Sequence, residues 1–337
     1  MARSVSYSAT SEDAGMRLDV CLASHGFYAS RSAATRAIEE GRVFVAGKNV
    51  PKKYSVSAGD FIVYTEDEEN PHITMQGQPI DLDVRFEDED LMVISKQPDL
   101  VCHPSPDHYD GTLVNALIYH CGKDNLCNVQ GEDDRLGIVH RLDKDTSGLM
   151  LVGKSNEAGA RLMEDIHDRV VDRHYIALVQ GIIPLDTGMV DAPIGRSEKE
   201  RIRMAVSDAP SAREAVTTFK VLERFNSASG DEGFTLIDCK LFTGRTHQIR
   251  VHMNYIRHAC VGDPMYGTGN VKMQLGLDRQ FLHSYRIGFA HPVTGKDYQF
   301  VDTLPEDFQS VLDKLASRSR GRTEFGEEVF AMMEESK

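Results

Sequence analysis

"GIVHRLDKDTSGLMLVGKS", residues 137–155, is the stretch that organises the rest of the chain. An apolar pair, Ile138-Val139, leads into His140-Arg141-Leu142-Asp143. Turn-forming residues follow, and then a second apolar run from Leu149. The pattern predicts two buried strands around a charged turn, with Asp143 at the mouth of a sheet. Such mouths have apolar walls and often hold binding groups. Asp145 and Thr146 read as makers of turn hydrogen bonds. His140 and Arg141 are harder to explain as filler, because a charged pair in such a place needs partners.

A partner for Asp143 is available in "LFTGRTHQIRVHM", residues 241–253. Thr246 is predicted to cap a helix that begins with His247. Arg250 then falls one turn into that helix, beside an apolar stripe of Ile249, Met253 and Ile256. An Arg beside such a stripe points toward protein, where it can pair with Asp143, hold it ionised and orient it. A third segment, "VDRHYIALVQG", places Tyr175 in a strand pattern. On local grounds that Tyr reads as core packing with a satisfied hydroxyl.

The 337 residues suggest one large and one small domain. From about Met16 to Thr65 a small unit is predicted. Its helix is capped by Ser30 and stops at Gly41, a strand and hairpin run through "RVFVAGKNV", and "DFIVYT" makes a further strand. Arg17, Arg31, Arg36, Arg42, Lys48, Lys52 and Lys53 outweigh the acids there, so the unit is basic. Residues 1–15 are polar and predicted to be loose. Residues 66–81 read as an acidic linker. Residues 82–316 read as a larger domain in which strands outnumber helices without alternating with them. That favours an α+β fold with a mixed, mainly antiparallel central sheet. Residues 317–337 read as an acidic C-terminal tail.

The net charge of −14 argues against a polyanionic partner. The acids, however, are concentrated in Glu66–Asp90 and in the tail, whereas Lys240–His258 carries Lys240, Arg245, Arg250 and Arg257 with no acid. Local sign decides at a binding face. No apolar run reaches membrane-spanning length, and the N-terminus lacks the apolar core of a secretory signal, so a cytoplasmic protein without membrane contact is expected. The six cysteines form no C-x-x-C pair and read as reduced structural thiols.

Other chemistries fit less well. A metal hydrolase would use His140, Asp143, His247 and His252, but their spacings are weak ligand patterns and the nearby Arg residues would repel a cation. A hydrolytic triad lacks the G-x-S-x-G context at "TSGL". A pure RNA-binding module explains the small basic unit but not the larger domain.

"GIVHRLDKDTSGL", "RHYIALVQG", "GRTHQIRVHM", "VGDPMYG" and "FLHSYRIGFAHPVTG" occur in this order between Gly137 and Gly295. Together they resemble the Rlu-type RNA pseudouridine synthases, and residues 16–65 resemble an S4 (αL-like) RNA-binding domain. The resemblance runs from about Met16 to about Thr303. It implies isomerisation of uridine in RNA to pseudouridine without metal or organic cofactor, most simply in 23S large-subunit rRNA. A tRNA substrate, or a non-catalytic rRNA-binding assembly factor, is the alternative. It also implies that Asp143 is the essential residue, attacking C1′ of the sugar or taking a proton at C2′. Arg250 becomes its salt-bridge partner, and Tyr175 becomes the ring that stacks on the target base, which reverses the core-packing reading. Leu282 packs on the other side of the base, and Arg141 enters the RNA where the uridine leaves. His140, Arg245 and His247 are expected to contact substrate. Arg17, Arg31, Arg36, Lys52 and Lys53 are expected to contact RNA from the S4 unit. A monomer is expected, with the acidic linker and tail facing away from the cleft.

Overall fold

Strand β1 (Ser4–Ser8), helices α1 (Leu18–Ser24) and α2 (Arg31–Glu39), and strands β2 (Val43–Val45) and β3 (Phe61–Thr65) build the first unit, Met1–Gln76. The structure, a computed structural model, describes residues 4–28, 31–65, 75–104, 108, 110–131, 133–197, 200, 203–267 and 271–336. Helix α2 buries Ala34, Ala37 and Ile38, the helical spacing that the sequence predicted. The predicted cap Ser30 lies outside the described residues. Strand β3 sits between β1 and β2, and both neighbours run antiparallel to it. Residues 4–8 are therefore not loose, because β1 pairs with β3 from Ser4↔Thr65 to Ser8↔Phe61. The buried carboxylate of Asp13 fastens the segment that follows, accepting from the Tyr7 hydroxyl at 2.6 Å and the Thr10 amide at 2.8 Å.

The second unit, Gly77–Lys337, begins earlier than the predicted 82. The Gln78 amide donates to the Asn115 carbonyl at 3.0 Å, and Gln78 Oε1 accepts from the Gly111 amide at 2.8 Å, so this end of the expected linker is built into the larger fold. The linker's residues 66–74 lie outside the described residues. The elements are β4 (Asp83–Glu87), β5 (Leu91–Lys96), α3 (Leu113–Cys121), β6 (Ser147–Gly153), α4 (Asn156–His167), β7 (Asp172–Gln180), β8 (Thr187–Asp191), β9 (Ile194–Arg196), β10 (Met204–Val206), β11 (Val216–Phe225), β12 (Phe234–Leu241), α5 (Gln248–Tyr255), β13 (Leu282–Ala290), β14 (Asp297–Val301), α6 (Glu306–Leu315), β15 (Ser319–Arg322) and α7 (Glu324–Glu335).

The main sheet runs β15-β11-β12-β7-β13-β6-β5-β4, with β14 beside β13 and β8 beside β11. Among the described residues its pairings are antiparallel except β13 with β6, so the mixed, mainly antiparallel sheet is present. The parallel pair explains a glycine in the opening stretch. Gly148 has φ +109, and a β-carbon there would lie 2.2 Å from the Ser284 carbonyl oxygen. Only glycine lets β6 approach β13 so closely.

Strands β5, β6 and β13 bury Leu91, Val93, Leu149, Leu151, Ile287 and Phe289 in one core with Leu162 of α4. A second core packs Leu178, Phe225, Phe234 and Tyr285 against α6 and α7. The C-terminal segment is therefore part of the fold and not a solvated tail. Strand β15 pairs with β11, and α7 buries Val329, Phe330 and Met333. Its acids occupy the outer face, which is why the composition misled. Burying three such side chains contributes roughly 1.5–3 kcal/mol each.

Candidate active site

The opening stretch does not form two strands. Strand β6 begins only at Ser147, and residues 137–143 run as an irregular segment in which Ile138 makes a single bridge to Val152. Asp143 therefore stands on a loop that enters the sheet, closed by the Thr146 amide donating to its carbonyl at 3.1 Å. Two buried side chains tie that loop down from behind. Lys96 Nζ donates to the carbonyls of Gln97, Leu100 and Lys144 at 2.7–3.0 Å, and Cys102 Sγ donates to the Leu142 carbonyl at 3.2 Å. Burial pushes the Lys96 ammonium down to about 8. A Lys at the end of a strand pattern carried no signal of this role.

Arg250 meets Asp143 as expected. Its Nη1 donates to Asp143 Oδ2 at 3.0 Å. The larger part of its binding goes to a residue that the sequence did not single out. Nε and Nη2 form a fork with Asp263 at 2.7 and 2.9 Å. Asp263 is buried and also accepts from the amides of Met265 and Tyr266 at 2.9 Å. Burial pushes the Asp263 carboxyl up, but Arg250 and these amides outweigh it and hold it below the usual carboxylate range. For Arg250, burial pushes down while Asp263 and Asp143 push up and win. Asp263 and Tyr266 lie in "VGDPMYG", three residues apart, and that motif was the available signal.

Helix α5 starts at Gln248 and has His247, not Thr246, at its N-cap. His247 takes a left-handed conformation with φ 57, which costs about 1–3 kcal/mol for a non-glycine residue, and its side chain makes no cap bond. The turn is organised instead by Gln248, whose Oε1 accepts from the Arg245 amide at 3.0 Å and the Thr243 hydroxyl at 2.7 Å. The bent backbone brings His247 Nδ1 to 2.9 Å from the Tyr266 hydroxyl and Nε2 to 3.9 Å from Asp143 Oδ1. Burial pushes the His247 imidazole down, which favours its neutral form.

Tyr175 and Leu282 are both buried and neighbour each other across β7 and β13, where Leu282 stands opposite Ala177 and Tyr175 opposite Ser284. Together with Arg141, Asp143, Arg245 and His247 they line one cleft. A second cleft of about 420 Å³ shares Asp143 and His247 with it and adds Arg203, Arg250 and Met265. Among the described residues, none of the C-terminal segment lines either cleft. Arg141 is exposed at the rim, with Nη1 3.4 Å from His103 Nε2. Arg245 Nε donates to the Glu214 carbonyl at 2.9 Å.

His140 departs from expectation, since its ring is engaged by the backbone of β6. Its Nε2 accepts the Leu151 amide at 3.0 Å, and burial pushes its pKa down to about 3, so it is a neutral strut. His252 is equally engaged, with Nδ1 2.9 Å from Thr217 Oγ1 and Nε2 3.0 Å from the Ala192 carbonyl. The four residues of the metal-hydrolase reading therefore do not converge. In the first unit, Arg17 and Arg31 hold the buried Asp19 at 2.7 and 3.1 Å, and Lys52 pairs with Glu39 at 2.8 Å. Arg36 and Lys53 are exposed and unpaired among the described residues. The six cysteines are free thiols, and all but Cys121 are buried.

Comparison with known proteins gives this arrangement its family. Residues 90–255 match the family model described as RNA pseudouridylate synthase, and residues 16–62 match the S4 domain. The chain is 40% identical over 311 residues to the "Uncharacterized RNA pseudouridine synthase YlyB" of Bacillus subtilis, covering 92% of this chain and 98% of that protein. The chain belongs to the RNA pseudouridine synthases. It is also 39% identical over 318 residues to a "Ribosomal large subunit pseudouridine synthase D" of Zymomonas mobilis (92% and 97% of the two chains). A protein of the same name from Pseudomonas aeruginosa is 41% identical over 311 residues (89% and 92%). Among solved structures, "Human RNA Pseudouridylate Synthase Domain Containing 1" aligns with a TM-score of 0.53 at 23% identity over 72% of this chain and 95% of that one, a likeness of fold. As a pseudouridine synthase the chain is an enzyme acting on RNA, with an S4 domain ahead of its α+β catalytic unit.

Proposed function

We propose that this pseudouridine synthase isomerises a uridine of large-subunit rRNA in the Asp143–Tyr175 cleft. The observation that carries the reading is the Asp143–Arg250–Asp263 chain beside the Tyr175–Leu282 platform. It puts one carboxylate, held from one side by a fixed cation, next to two flat apolar surfaces. The relatives named for the ribosomal large subunit support the choice of RNA.

The target uridine leaves its stack, at a cost of a few kcal/mol. Stacking on Tyr175 returns about 1–3 kcal/mol, and Leu282 closes the other face of the ring. Arg141, exposed and held only loosely, fills the vacated space in the RNA with a planar cation. Asp143 then acts at the sugar, as nucleophile at C1′ or base at C2′. The N-glycosidic bond breaks, the uracil turns between Tyr175 and Leu282, and C5 bonds to C1′. The proton on C5 is then lost, and one returns to the former glycosidic nitrogen. No group outside the chain is needed to balance these steps. Arg250 keeps the carboxylate aimed, and the uncommitted cations Arg36 and Lys53 meet phosphates from the S4 unit.

The test is pseudouridine mapping of total RNA from cells lacking the gene, complemented with wild type or Asp143→Asn. A large-subunit rRNA site that disappears and returns only with wild type supports the proposal. A site restored by Asp143→Asn, or one found only in tRNA, overturns it.

A further inference from the structure

One charged side chain of the catalytic unit has no place in the account above. Arg173 lies on β7 two residues before Tyr175 and therefore on the same face, roughly 7 Å along the strand. It is 3% exposed. Among the described residues no carboxylate pairs with it and no acceptor takes its N–H groups, and its buried Nε is unsatisfied. A guanidinium removed from water without partners costs several kcal/mol, and such a group persists where something else compensates it.

The surroundings say what that is. Arg173 sits beside the turn that carries Arg245, and a β-carbon on Gly244 would come within 3.3 Å of its Nη1, so the glycine leaves room for the guanidinium. Its charge is felt at both His140 and Tyr175, which places it under the cleft wall. The neighbouring titratable groups do not neutralise it, since His140 is neutral and the Tyr175 hydroxyl is pushed up by burial. Arg141 and Arg245 add positive charge to the lining of that cleft. A planar donor fork with no anionic partner matches the paired oxygens of a phosphodiester.

We infer that Arg173 is the phosphate anchor of the target nucleotide, binding a linkage that flanks the uridine stacked on Tyr175. This rests on the proposal that the Asp143–Tyr175 cleft receives the RNA. Arg173 would fix the sugar–phosphate backbone while Tyr175 and Leu282 fix the base, so that the ribose stays in register with Asp143 when the glycosidic bond opens.

The test is equilibrium binding of full-length protein to a large-subunit rRNA transcript as a function of salt. Arg173→Gln should weaken binding on the order of tenfold or more. It should also reduce the slope of log Kd against log salt by about 0.7–0.9, the loss of one phosphate contact. Arg173→Lys should retain the slope, whereas in Arg173→Gln KM should rise more than kcat falls. Wild type is also measured on RNA bearing a neutral methylphosphonate at either linkage flanking the target uridine. One of the two should reproduce the loss, and combining it with Arg173→Gln should add nothing further. If the slope is unchanged and only stability falls, Arg173 is a buried strut hydrated against His140 and the inference is wrong. Additive losses, or no effect of either methylphosphonate on wild type, overturn it equally, and the RNA measurement stands even where a variant misfolds. Activity that survives Asp143→Asn would instead refute the cleft assignment, whatever Arg173 does.

Discussion

Asp263→Asn isolates what holds Arg250, the partner of the Asp143 carboxylate, in place. In wild type, Arg250 spends two donors on Asp263 and one on Asp143. Both Asp263 and Arg250 are buried, so the substitution leaves a guanidinium in protein with half its countercharge removed. Breaking a buried pair by removing one partner costs about 3–5 kcal/mol. Asparagine keeps one acceptor oxygen, so the lower end, about 3 kcal/mol, is expected. At about 2–4 °C per kcal/mol for a unit of this size, the melting temperature falls by roughly 6–12 °C. The pH dependence has a definite sign. Asp263 titrates below the usual carboxylate range in the folded state, so its contribution is present above the unfolded pKa and is lost as pH falls through the folded one. The gap between wild type and variant should therefore close in acid. Activity falls further than stability, because a shift of about 1 Å in Arg250 can cost on the order of 100-fold in rate. Calorimetry across pH and single-turnover kinetics on the RNA substrate measure both. A variant that melts with wild type at neutral pH and turns over at the same rate refutes the claim that Asp263 braces Arg250.

Four further outcomes follow from the same geometry. Tyr175→Leu should lose most activity while Tyr175→Phe retains stacking and much of the rate, as steady-state kinetics on the same RNA would show; equal losses would point to the hydroxyl. Gly148→Ala should abolish soluble expression or lower the melting temperature strongly, because its β-carbon would sit 2.2 Å from the Ser284 oxygen at φ +109. His283 is buried and His140 half-buried, and both have pKa values pushed down to about 3 from 6.5, so between those values only the unfolded chain takes the proton. The catalytic unit should therefore lose stability as pH falls from 6.5, and His283→Gln should flatten a urea-denaturation series by up to about 1.4 kcal/mol per pH unit. Deleting residues 317–337 should destabilise the catalytic unit by several kcal/mol through the lost burial of α7, read as a shift in denaturant midpoint.

The residues to which we assign the chemistry stood out in the sequence because they crowd into short motifs. "HRLD" marked Asp143, "GRTHQIR" marked Arg250, and "RHYIALVQG" marked Tyr175, although only the family resemblance lifted that Tyr out of the core. The partners that hold them were not legible, because they meet only in three dimensions. Asp263 lies 13 residues beyond Arg250, in a turn whose acid looked like any other turn acid. Lys96 secures the loop through three carbonyls, which leave no trace in side-chain patterns. His140 looked like a site residue because it adjoins Arg141, yet the irregular backbone turns the two apart. The ends of the chain were misread for a common reason. Strand β1 is polar because its residues are exposed or half-buried, and α7 hides its apolar stripe of Val329, Phe330 and Met333 behind outward-facing acids.

The central claim is that Asp143 performs the isomerisation in the cleft that Arg250 and Tyr175 frame. Its most direct test is a single-turnover assay of purified wild type and Asp143→Asn on a large-subunit rRNA transcript, scored for pseudouridine, with melting temperature and RNA affinity measured on the same preparations. The account predicts that the Asn variant folds and binds RNA like wild type and forms no pseudouridine. Conversion at the wild-type rate by a folded, RNA-bound Asp143→Asn would contradict it.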